Sequence, residues 1–164
     1  MRARLLVVAV TALLMTSGAL DALQLRSTAE PPPQLIGSWR LNVAKSKYSP
    51  GPPLRSETRV YTKGADGVKG VVSRVYGDGR AERFEYLANF GKDLMVTGIE
   101  AYDSVTLRKV DDLTSDAVLS HAGIVYGVAR RVIAADGKSM TITFDRTSSE
   151  TPVHNVAFYD KVAN

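Results

Sequence analysis

From Ser56 to Lys161 apolar and polar side chains alternate in short runs, each closed by a turn-forming cluster. A period of two is the repeat of a β-strand, whose successive side chains point to opposite faces. Ser56 to Lys63 sets Thr58, Val60 and Thr62 against Glu57, Arg59, Tyr61 and Lys63, and Val60 is assigned to the inward face. Asp66-Gly67 follows, the strongest short-range hairpin signal. Val68 to Tyr76 ends at Gly77-Asp78-Gly79, and Arg80 to Ala88 places Phe84, Tyr86 and Ala88 opposite Arg83 and Glu85. Asn89-Phe90-Gly91-Lys92-Asp93 then turns the chain into Leu94 to Thr97. The second half repeats the habit in Ser104 to Val110, Asp116 to Ala122, Ile124 to Ala135, Ser139 to Arg146 and His154 to Lys161.

About nine or ten short strands at this spacing predict an all-β domain. The connections are tight, so sequential strands should pair as hairpin neighbours. A meander of that length must close or leave two edges exposed, and closure removes them. The expected fold is therefore an antiparallel up-and-down β-barrel of about 8 to 10 strands, since a sandwich would need longer Greek-key loops.

Gly37-Ser38-Trp39-Arg40-Leu41-Asn42 carries the only tryptophan and reads as the first strand, with Trp39 plugging one end. Asn42 to Pro53 is rich in Ser, Pro and Gly and reads as a long connection, in which Val43 to Lys47 could form one helical turn across an open end. Upstream, residues 20–34 end in Glu30-Pro31-Pro32-Pro33 and are expected to be a spacer without fixed structure. Arg2 and Arg4 precede a run from Leu5 to Leu14 that is apolar apart from Thr11, followed by Thr16-Ser17-Gly18-Ala19. This is the pattern of a signal peptide over residues 1–19, cut after Ala19. The run is well short of the roughly 20 residues a membrane-spanning helix needs. The expected product is one exported domain, periplasmic or extracellular, over residues 35–164, with no stable membrane insertion.

Composition alters this picture little. The chain holds 21 Lys+Arg and 17 Asp+Glu; taking Arg2 and Arg4 away with the leader leaves 19 against 17, a balance of +2. The basic residues are scattered singly along the strands, which argues against a nucleic-acid partner. There is no cysteine, so an exported domain must be held by its core alone. Nothing in the pattern fixes an oligomeric state.

Gly37-Ser38-Trp39 resembles the G-x-W opening of lipocalins and their calycin relatives. With Ala44-Lys45-Ser46-Lys47-Tyr48-Ser49-Pro50-Gly51 and Tyr159-Asp160-Lys161, the chain is similar to small secreted bacterial proteins known only as lipocalin-like. The resemblance spans Leu35 to Lys161. It implies that Trp39 packs against a basic side chain near the last strand, with Lys161 the candidate and Arg146 the alternative. The second lipocalin signature, a Thr-Asp-Tyr loop, has no clear counterpart.

Function should then lie inside the barrel. The inward set is Val60, Phe84, Tyr86, Leu107, Leu119, Met140, Ile142 and Phe144, either plain core or the wall of a cavity for one small apolar ligand. Polar interruptions are informative, because an inward charge must be paired, hydrated or used. Arg130 shares parity with Tyr126, Val128 and Val132, and Arg74 with Val72 and Tyr76. An inward Arg130 could take the carboxylate of a fatty-acid-like ligand or pair with Glu82. His121 and His154 belong to no metal motif, and a metal would need added ligands such as Asp103 or Asp116. Ser120 and His121 are adjacent on a strand and face opposite ways, so they form no nucleophile and base pair. No cofactor fingerprint is present. The expectation is a non-catalytic binder of a small apolar or amphipathic molecule. The alternatives are a filled barrel with an interacting surface, and a barrel isomerase or cyclase using Tyr126, Glu82 or His121.

Overall fold

The computed structural model describes residues 31–64, 67–88, 93–146 and 150–163. The expected leader, residues 20–30 of the spacer and parts of three turns lie outside the described residues. Eleven strands follow in order: β1 (Gly37–Leu41), β2 (Lys47–Ser49), β3 (Ser56–Gly64), β4 (Gly67–Val75), β5 (Ala81–Ala88), β6 (Asp93–Thr97), β7 (Ser104–Lys109), β8 (Thr114–His121), β9 (Ile124–Ile133), β10 (Ser139–Arg146) and β11 (Val153–Val162).

From β3 to β11 each strand pairs antiparallel with the next, and β1 pairs with both β3 and β11. The sheet is a closed up-and-down barrel, so pairing has no open end to propagate from. β1 takes Tyr159 to Val162 of β11, while β2 takes His154 to Val156 of the same strand. They are two halves of one barrel strand. A single 3-10 turn at Val43–Lys45 interrupts it, capped by Asn42, whose side chain accepts from the Lys45 amide.

One end of the barrel is closed by apolar packing. Trp39 and Leu35 are fully buried, with Val68, Ile133 and Met140 nearly so. The Trp39 indole N–H donates to the Leu35 carbonyl at 2.9 Å, and Lys161 Nζ lies 5.1 Å from the ring centroid. Lys161 Nζ also donates to the Gln34 carbonyl at 2.7 Å. Pro31 is buried and Pro33–Leu35 forms a 3-10 turn. Pro31 to Gln34, assigned to the spacer on sequence, therefore belong to the folded unit, because Pro31 is buried and Lys161 uses the Gln34 carbonyl.

Two departures from the expected facing matter for function. On β3 the buried residues are Glu57 and Tyr61, with Arg59 between them, and Val60 lies on the outer face. On β9 the register shifts: Leu119 pairs with Gly127 but Ser120 pairs with Val125, which leaves Tyr126 as an extra residue. Such a bulge exchanges the two faces beyond it. Tyr126 can then point inward together with Ala129 and Arg131, while Val128, Arg130 and Val132 point out.

Candidate ligand-binding cavity

Above the apolar plug the barrel holds a cavity of about 320 Å3, within the usual size range of small-molecule sites. All seven tyrosines of the sequence line it. Four rings form a connected arc: Phe84 meets Tyr102 edge-on at 6.0 Å between centroids, Tyr102 meets Tyr126 at 5.9 Å, and Tyr126 stacks on Phe144 at 6.1 Å. Two glycines make room for the aromatics. A Cβ on Gly70 would lie 2.6 Å from the Tyr86 ring, and one on Gly127 2.6 Å from Phe144.

A charged network adjoins the arc, with Arg74 5.2 Å from the Phe84 ring centroid; its members come from β3, β4, β5, β11 and the β4–β5 connection. Glu57, only 2% exposed, accepts from the Tyr159 hydroxyl at 2.5 Å and from Arg59 Nε at 2.6 Å. Arg74 lies 4.0 Å from the same carboxylate and donates through Nε to Glu82 at 2.7 Å. The Tyr76 hydroxyl also donates to Glu82, at 2.8 Å. A buried carboxylate is tolerated when it is paired in this way.

The other two lining arginines are not compensated so. Arg131 lies 5.4 Å from the Tyr61 ring centroid, and Arg146 donates through Nη1 to the Tyr126 hydroxyl at 3.0 Å. Neither forms an ion pair with a carboxylate among the described residues. The Tyr48 hydroxyl and Arg146 Nε are buried without a hydrogen-bond partner among the described residues, and both residues line the cavity. Orphaned buried donors are uncommon, and each costs about 1 to 3 kcal/mol.

Burial sets the protonation of the wall. It pushes the hydroxyls of Tyr48 and Tyr102 up to about 12, and those of Tyr86 and Tyr159 well above the ordinary tyrosine value. These side chains stay neutral near pH 7 and can donate. Burial would raise Tyr61 also, but the charges of Arg59 and Arg131, with hydrogen bonding to Tyr86 and Arg59, hold that hydroxyl below its ordinary pKa. The deep part of the cavity favours negative charge.

Of the residues expected inward, Phe84, Tyr86, Leu107, Leu119, Tyr126, Ile142 and Phe144 meet in the cavity wall. Met140 is buried in the plug below it. Val60 and Arg130 do not reach it. Arg130 is an exposed partner of Asp116, at 2.7 Å and 3.0 Å to its two oxygens. That hydrogen bonding, together with Arg108 at 3.0 Å, draws the Asp116 pKa down to about 2. Glu82 pairs with Arg74, not with Arg130. His121 and His154 are exposed outside the cavity, near Asp103 at 3.8 Å and Asp145 at 2.6 Å. Tyr126, Glu82 and His121 therefore do not converge as an acid–base set, and no group of three metal-ligating side chains occurs among the described residues.

Sequence reasoning missed Glu57, Arg59, Arg131 and Arg146 as inward residues. A signal for Arg131 was present in Gly127, since a glycine inside a strand marks a bulge.

No family model matches the chain, and a comparison with curated proteins finds no match. Among solved structures, the crystal structure of Rv2717c from M. tuberculosis is similar, with a TM-score of 0.51 and 14% sequence identity. The match covers 90% of this chain and 99% of that one, and at that identity what the two share is the fold.

Proposed function

We propose that this chain is an exported binding protein that holds one small amphipathic molecule inside its barrel, as the lipocalin-like resemblance of its opening implies. The apolar body of the ligand lies along the Phe84, Tyr102, Tyr126 and Phe144 arc, and its polar head meets arginine and tyrosine donors. One observation carries this reading: the Tyr48 hydroxyl and Arg146 Nε, buried and without a hydrogen-bond partner among the described residues, both belong to the wall of one cavity of about 320 Å3. A wall that served only as core would be expected to satisfy these groups from within.

The test is a fluorescence titration with anilinonaphthalene sulfonate, an aromatic monoanion. Saturable one-to-one binding is expected, and it should be lost in Leu119→Trp, which fills the cavity from β8. Binding that is unsaturable, or equal in the filled variant, would overturn the reading. It would favour a second one, an interacting outer surface, for which Val118 and Val128 are paired and exposed on β8 and β9.

A further inference from the structure

The charged side chains of the cavity wall do not balance. Arg59, Arg74, Arg131 and Arg146 bring four positive charges. Glu57 lines the cavity and Glu82 backs it, and both are used by Arg59, Arg74 and two tyrosine hydroxyls. Among the described residues the interior therefore carries an excess of two cations, held by Arg131 and Arg146.

These two stand at different depths. Arg131 pairs across the sheet with Ile142, and Arg146 lies four residues further along the same strand, β10. At about 3.3 Å per residue their backbones are separated by roughly 13 Å along the strand. Arg131 is set among Tyr61 and the deep wall, whereas Arg146 pairs with Val153 next to the β10–β11 loop. The aromatic arc includes Tyr126 and Phe144, so an apolar surface adjoins Arg146. A monoanion would neutralise one of these two half-buried cations and leave the other without a counter-charge.

We infer that the ligand is an elongated molecule with two carboxylates on an apolar, preferably aromatic, body, one acid at Arg131 and the other at Arg146. This rests on the ligand-binding reading above and adds the number and placement of the charges. Arginine is suited to both contacts, because its planar fork matches a carboxylate. At Arg146 the incoming acid satisfies the orphaned Nε, and at the deep end it lies beside Tyr61, in the region where Arg59 and Arg131 already favour an anion.

Isothermal titration of the native chain with para-linked biphenyl dicarboxylate and with its monomethyl ester tests the inference. The two probes share one rigid body and differ by one charge. The diacid should bind at least about tenfold more tightly, the change one charge-assisted contact produces. Arg131→Gln and Arg146→Gln should each bring the diacid down to the affinity of the half-ester, with retained thermal unfolding as the folding control. Equal affinity of the two probes for the native chain would overturn the inference and leave the ligand-binding reading standing. Failure of both probes to bind would overturn the inference, and loss of anilinonaphthalene sulfonate binding as well would overturn the reading beneath it. The comparison on the native chain stands even if a variant does not fold.

Discussion

Glu57→Gln separates stability from binding. The Glu57 carboxylate is nearly inaccessible and takes two short hydrogen bonds, from Tyr159 and Arg59, with Arg74 close by. Glutamine keeps the shape and one acceptor oxygen but removes the charge. Arg59 then loses its counter-charge in a buried site, while Arg74 keeps Glu82; removing one partner of a buried pair costs about 3 to 5 kcal/mol. Because the amide still accepts from Tyr159, the expected loss is near the lower limit, about 3 kcal/mol. For a domain of this size that is a drop of roughly 10 °C in the thermal midpoint. The same substitution raises the positive charge of the cavity, so anilinonaphthalene sulfonate should bind more tightly to the variant. Urea unfolding and a dye titration on the same preparation measure both. A midpoint unchanged within about 0.5 kcal/mol, or a weaker dye affinity, would refute the placement of Glu57 as the buried counter-charge of this cavity.

Trp39→Ala should destabilise by about 3 to 5 kcal/mol, as truncation of a large core aromatic does; an unchanged melting curve would mean the plug does not depend on the indole. Gly127→Ala should cost about 1 to 3 kcal/mol through overpacking, because the added methyl meets the Phe144 ring at 2.6 Å and the Asp145 carbonyl at 2.9 Å; urea unfolding of that variant checks it. Alkaline titration should follow the tyrosines. Tyr48 and Tyr102 are raised to about 12 in the fold, against about 10 in an unfolded chain. Their contribution is thus fully present below pH about 10 and is lost as pH rises towards 12. Tyrosinate absorbance and the unfolding midpoint should move together over that window; full titration near pH 10 with the fold intact would contradict it.

The strand boundaries were legible because tight turns punctuate a two-residue rhythm, and the closed meander follows from that rhythm alone. Which face of a strand points inward was legible only where apolar and charged residues separate cleanly, as at Phe84 and Tyr86 on β5 or Ile142 and Phe144 on β10. On β3 the alternation was seen, but burial by polarity put Val60 inside and Glu57, Arg59 and Tyr61 outside. The real arrangement inverts this, because Glu57 finds Arg59, Arg74 and Tyr159, and such partners come from strands distant in sequence. On β9 constant parity led from Tyr126 to Arg130, but the bulge transfers the inward role to Arg131. Local pattern has no access to a register shift beyond the hint of Gly127. The charge excess of the cavity stayed hidden for the same reason, since it is a sum over residues whose facing was mistaken.

The seam between β1 and β11 has a consequence for biogenesis. The earliest of the eleven strands is sealed by the last, so a nascent chain cannot complete the wall until nearly all of it has been synthesised. Until then Glu57 waits for Tyr159, some hundred residues downstream, with an acidic group on an unfinished surface. Contacts of such long range form slowly, which leaves an interval in which the polypeptide remains open to a chaperone.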